Sequence, residues 1–156
     1  MFSPIQIQHH LLRKVTLEAI EQPDQTGKQK LDFAYRYQRD EGDDSLWHAN
    51  LNVTFGPHQD ESPSEFVGEI EVEGCFFVNA EPSDTDSKEL KDFVKMSAGS
   101  LLYSSIREIV VNLTSRTRNG ALELPTIDPR MFLQESVSKA KHSKKAPKKK
   151  AGKKKA

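Results

Sequence analysis

A single cysteine, Cys75, stands in the 156 residues, so no disulfide can form within the chain. Nothing therefore supports a secreted, disulfide-stapled domain. No basic stretch followed by an apolar run opens the sequence, so a signal peptide is not expected. No apolar run approaches the ~20 residues that span a membrane, and the expected location is the cytoplasm. Hydrophobic residues make up only 35% of the chain. That suffices for one domain with a thin core, which would finish burying its surface in an oligomer. Catalytic patterns are missing as well. Gly68 and Gly74 lie inside an apolar segment instead of between a strand and a helix, so they form no phosphate cradle. His9, His10, His48 and His58 have no metal-site spacing with each other or with Cys75. Cys75 itself reads as a small buried residue. The expectation is a non-enzyme with no metal and no cofactor.

The formal net charge of zero conceals two opposite parts. Ten of the 23 Lys and Arg residues fall in 139–156, where there is no acid, which leaves 13 basic against 23 acidic residues before them. The body is about −10 and the tail about +10. Two units follow: a domain at 1–136 and a lysine-rich tail at 137–156. The tail is broken by Ala, Pro and Gly, cannot bury a core and is expected to be disordered. It also lacks aromatic residues for base stacking, so any weak contact with nucleic acid or anionic lipid would be to phosphates, without sequence preference. A solubilising role and docking back on the acidic body are the competing readings.

Within the domain four segments read as strands. Residues 5–20 mix apolar positions (Ile5, Ile7, Leu11, Val15, Leu17) with polar ones. Residues 29–38 alternate cleanly, with Leu31, Phe33, Tyr35 and Tyr37 on one face. Residues 46–55 end in the alternation Leu51, Val53, Phe55. Residues 65–79 set Phe66, Ile70, Val72, Phe76 and Val78 against Val67, Glu69, Glu71 and Glu73. Polar turn sequences at 41–44 and 56–63 join them, which favours an antiparallel meander.

The period then changes to that of a helix over about 88–118, with Asp84, Asp86 and Ser87 as N-cap candidates, Glu89 completing a capping box and Asn119-Gly120 as the stop. Such a helix is about 45 Å long. Its apolar stripe, which includes Leu101, Leu102, Ile106, Ile109 and Leu113, is wider than one small sheet needs, so Leu102, Ile106, Ile109 and Leu113 are expected to bury against another subunit. Residues 121–130 read as an extended connection. A short helix follows from Asp128 and Pro129, with Met131, Phe132 and Val137 as its contacts. The fold class is α+β.

Four stretches of this chain resemble the SecB family of export chaperones. They are Glu69-Ile-Glu-Val-Glu-Gly-Cys-Phe-Phe77, Leu101-Leu-Tyr-Ser-Ser-Ile-Arg-Glu-Ile109, Thr114-Ser-Arg-Thr-Arg-Asn-Gly120 and Leu122-Glu-Leu-Pro-Thr-Ile-Asp-Pro-Arg-Met-Phe132. The resemblance covers roughly residues 5–135. It implies four antiparallel strands, a long helix and a short second helix, assembled as a homotetramer (a dimer of dimers). It also implies grooves that hold unfolded preproteins and hand them to the SecA translocase motor through an acidic sheet surface. Glu69 falls at the family's docking glutamate, Val67 at its apolar neighbour and Glu18 at a further acidic docking position. Lys14 stands where an acid is expected, and the lysine-rich tail departs from the family's short tails.

A holding chaperone needs apolar area without precise polar complementarity. Tyr35, Phe55, Tyr103, Leu122, Leu124, Met131 and Phe132 are the candidates for that groove, with core packing as the alternative for each. The leading expectation is an ATP-independent chaperone for export clients. A chaperone dedicated to a toxin–antitoxin pair and a nucleic-acid-binding protein acting through the tail are the alternatives.

Overall fold

The computed structural model describes residues 4–21, 29–57, 65–80 and 86–134. Four strands, β1 (Ile5–Ala19), β2 (Gln29–Arg39), β3 (Leu46–Pro57) and β4 (Phe66–Val78), precede one helix, α1 (Lys88–Thr114), and a short 3-10 helix (Pro129–Leu133). All neighbouring strands are antiparallel, in the order β1-β4-β3-β2. The expected meander holds for β2, β3 and β4 but not for β1, which lies beside β4 at the edge farthest from β2. Alternation identifies a strand without naming its neighbour. Here the pairing brings Arg13 and Lys14 of β1 against Glu73 and Glu69 of β4, opposite charges in cross-strand contact.

The helix-facing side of the sheet carries the core. Phe66, Ile70, Val72 and Phe76 of β4 and Leu51, Val53 and Phe55 of β3 are all buried. Above them Val94, Ala98, Leu102, Ile106, Val110 and Thr114 of α1 are buried too. These helix residues stand four apart, and an i+4 ridge winds around a helix, so α1 crosses the sheet obliquely. It starts above β2, where Tyr35 Oη donates to the Lys95 carbonyl at 2.8 Å. It ends toward β1, where Asn119 Nδ2 lies 2.9 Å from the carbonyls of both Ile20 and Glu65.

Both helix ends differ in detail from expectation. Ser87 is the N-cap, its Oγ accepting from the Leu90 amide at 3.2 Å; Asp84 lies outside the described residues. The α-helix stops at Thr114, and a turn runs on to Gly120, which alone among the described residues has positive φ (80°). Asn119-Gly120 thus ends the turn, not the helix. The second helix is one 3-10 turn, capped as expected by Asp128, whose Oδ1 accepts from the Arg130 amide at 2.9 Å. Val137, His58 and the proposed boundary at 136/137 lie outside the described residues. No described helix is long and apolar enough to cross a membrane.

Candidate functional site

The connection after α1 is strapped to the helix by a series of specific contacts. Leu122 N–H donates to Thr114 Oγ1 at 2.7 Å, Arg107 Nε to the Leu124 carbonyl at 3.0 Å, and Tyr103 Oη to the Pro125 carbonyl at 2.7 Å. Phe132 then closes on Gly99, where an added Cβ would sit 2.5 Å from the ring. The absence of a side chain at Gly99 is what lets the 3-10 turn dock. The Phe132 ring also meets Tyr35 at 4.9 Å between centroids, and Tyr103 meets Phe33 at 5.5 Å.

Most of the expected client-groove residues are therefore brought together, but as a closed cluster. Tyr35, Tyr103, Leu124 and Phe132 are buried, and Leu122 and Met131 are half-buried against the same core. Burial pushes both phenol groups, Tyr35 and Tyr103, above the ordinary tyrosine range. Phe55 is buried farther along β3, opposite Leu31 and Gly68. Beside the cluster lies a group that sequence reasoning passed over. Tyr37 stacks on Trp47 at 5.8 Å, with Lys95 Nζ 5.3 Å from the Tyr37 centroid. The signal was present, because Tyr37 belongs to the same alternating row as Tyr35.

A second apolar surface is uncovered. Leu102 and Ile106 belong to the subunit's own core, which corrects their assignment to an intersubunit face. The free surface is the next i+4 ridge: Phe93, Ser97, Leu101, Ser105, Ile109 and Leu113. Phe93, Leu101 and Leu113 are exposed, the last at 42%, and Ile109 is half-buried. Ile7, Leu12 and Val15 of β1 are exposed as well. Their register partners Phe76, Val72 and Ile70 all face the helix, so these three lie on the helix-facing side of the sheet, at the β1 edge that α1 does not cover.

The opposite sheet face carries the glutamates, each engaged within the subunit. Glu69 accepts from Lys14 Nζ at 2.5 Å and from Asn52 Nδ2 at 2.7 Å. Glu71 accepts from Asn50 Nδ2 and Glu73 from Arg13 Nε, each at 2.7 Å. Lys14, then Asn52, hold the Glu69 carboxyl below the ordinary range, and Arg13 does the same for Glu73. Glu18 pairs in register with Val67 and Thr16 with Glu69, so the three expected docking residues do share one end of this face, with Val67 exposed. Cys75 is buried on β4, and burial raises its thiol pKa. Among the described residues no three of His, Cys, Asp and Glu are placed to hold a metal ion.

Two solved structures compare with this one. The SecB-like chaperone Rv1957 of Mycobacterium tuberculosis, in complex with a ChAD peptide from the Rv1956 HigA1 antitoxin, matches at a TM-score of 0.62 and 20% identity, over 80% of this chain and 91% of that one. A protein of unknown function from Streptococcus agalactiae matches at a TM-score of 0.45 and 16% identity, over 78% and 97%. No family model matches the sequence, and no curated protein sequence matches it. The fold is SecB-like: a four-stranded antiparallel sheet, one long helix and a short closing turn.

Proposed function

We propose that this chain is an ATP-independent holding chaperone, which binds unfolded or non-native polypeptide and performs no covalent chemistry. The observation that carries the reading is the SecB-like fold, shared with a chaperone that binds an antitoxin peptide. The distribution of apolar surface supports it. Leu122 and Met131 are the accessible client contacts. Tyr35, Tyr103, Leu124 and Phe132 lie beneath them and enlarge the site when the closing turn lifts, and Phe55 stays in the core. The exposed ridge of α1 and the bare face of β1 bury against further copies of the chain. The ridge alternates large and small residues (Phe93, Ser97, Leu101, Ser105, Ile109), a pattern that interdigitates with itself across a dimer, and the β1 surface supplies the second contact by which dimers pair into a tetramer.

Between handover to an export motor and service to a dedicated client, the ion pairs favour the second. Glu69 and Glu73 are already neutralised by Lys14 and Arg13. A basic partner would have to displace both pairs before it gained anything from the acidic face.

Aggregation of a slow-folding protein, followed by light scattering without nucleotide, tests the reading. The parent slows aggregation. Leu122→Ser combined with Met131→Ser weakens that protection while the circular dichroism spectrum is retained. A parent that leaves aggregation unchanged at stoichiometric ratios overturns the reading.

A further inference from the structure

The outer sheet face is furnished unevenly. The short side chains of Ala34 on β2 and of Asn50 and Asn52 on β3 lie low between longer ones. Register places Ala34, Asn52 and Glu71 in one row across the strands, and Arg36, Asn50 and Glu73 in the next. A depression lies over these rows, walled by Arg36, Gln38, His48, Glu71 and Glu73. It continues through a second hollow, which shares Gln38, His48 and Glu73 with the first, to Asp40 and Glu41 of the β2–β3 turn.

The course carries an excess of carboxylates. Asp40, Glu41, Asp43, Asp44, Glu71 and Glu73 lie along it or at its mouth, against the guanidinium groups of Arg13, Arg36 and Arg39. His48 lies beside Asp40, Arg39 pairs with Asp44 and Arg13 with Glu73. Glu41, Asp43 and Glu71 have no ion pair among the described residues, and Glu71 accepts from the Asn50 amide at 2.7 Å. Glu41 and Asp43 are exposed and Glu71 is half-buried. Charge left over after the subunit's own pairing is therefore negative, and it lies on a sheet face that no element of the subunit covers among the described residues.

The described chain ends beside this face, at Gln134. Phe132 lies 4.9 Å from Tyr35 between ring centroids, and Tyr35 belongs to β2, the outermost strand. Ala34 and Arg36, on either side of Tyr35 in sequence, point to the outer face. Five extended residues, from Gln134 to Lys139, span about 17 Å, and β4 lies two strand spacings, about 10 Å, from β2. The ten lysines of 139–156, with no acid among them, therefore begin within reach of the depression. The helix-facing side offers them nothing, since an apolar surface would strip the ammonium groups of water. We propose that residues 139–156 dock along the outer sheet face of their own subunit, from Glu71 to the β2–β3 turn, and leave it when a polyanion competes for the lysines. A separate basic partner gains little from a face so largely paired within the subunit, but a covalently attached segment acts at an effective concentration on the order of millimolar. Arg36, the lining cation without an ion pair among the described residues, opposes the docking.

Carbodiimide joins a lysine to a carboxylate only where the two touch, so cross-linking of the full-length protein tests the docking. Co-assembled light and nitrogen-15-labelled chains separate links within a chain from links between chains. At low ionic strength, links should run within one chain, from the lysines of 141–150 to Glu41, Asp43 and Glu71. They should vanish at about 1 M salt, where the Debye length is about 3 Å, and fall severalfold when polyphosphate is added. Glu41→Gln with Glu71→Gln should reduce the remaining links to Asp43 and Asp44 about threefold, and Arg36→Glu should increase them, with circular dichroism unchanged in both. Links chiefly to Glu89 and Asp92 of α1, or to Glu108 and Glu123, would overturn the outer face as the docking surface. Links between chains as frequent as those within a chain would assign the segment to a second copy and overturn the proposal. Absence of links at low ionic strength, or links indifferent to Arg36→Glu and to the double variant, would overturn it as well.

Discussion

The outer sheet face shows most directly how single residues alter this chain. A surface ion pair contributes little to stability, but it decides whether a carboxylate is available to a partner. Lys14 and Asn52 together occupy Glu69, and Arg13 occupies Glu73. Both carboxyl pKa values are depressed in the folded protein, so the unfolded chain binds more protons through that interval. The stabilisation is present above the unfolded carboxylate value of about 4.3 and is lost as pH falls through the folded values. Lys14→Ala should return the Glu69 pKa toward its ordinary value in an NMR titration, and should flatten the acid side of the stability curve. An unmoved Glu69 would mean that Asn52 alone sets it. Gly99 is the second decisive residue. Gly99→Ala forces a methyl into the Phe132 ring, and overpacking of this kind costs about 1–3 kcal/mol. The closing turn should detach, giving faster hydrogen exchange over 129–133, with α1 still folded. Unchanged exchange would show that Phe132 can move aside without losing its seat.

At the scale of elements, α1 presents two i+4 ridges with different partners. Ile106→Glu places a charge in the subunit's own core and should unfold it, because an unpaired buried charge costs several kcal/mol. Leu101→Glu with Leu113→Glu changes only the exposed ridge. Sedimentation should then show smaller species with unchanged helicity, and a variant still assembled like its parent would remove the ridge from the interface. This distinction was not legible in the sequence. Periodicity reveals a wide apolar stripe, but the obliquity of the crossing decides which rows of it touch the sheet. The same limit applies to β1. Its segment looks mixed because two bulges shift the alternation, so Ile7, Leu12 and Val15 face one way and Leu11 the other. Where no bulge intervened, in 29–38 and 65–79, the two faces could be read residue by residue. The cap at Asp128 was readable for a similar reason, since Asp-Pro has a local role independent of tertiary context. The strand order was not readable, because the β1–β4 pairing is formed by residues 47 to 73 positions apart.

In the whole molecule a thin core lies beside uncovered apolar surface on α1 and β1, in a domain whose charge opposes that of its lysine-rich C-terminal segment. Residues 139–156 should contribute contacts with polyanions and none with clients. Their removal should abolish retention on single-stranded RNA at low salt while aggregation suppression persists. Loss of suppression on truncation would place the segment in the client site.

The central claim is that the protein recognises the non-native state of other proteins. Affinity for one protein in two states tests this most directly, with a reduced, carboxymethylated polypeptide that cannot refold compared with its native, disulfide-bonded form, titrated by fluorescence anisotropy without nucleotide. Binding of the unfolded form should be micromolar or tighter, and the native form should not bind. Equal affinity for both forms, or no binding of the unfolded form at tens of micromolar, would contradict it.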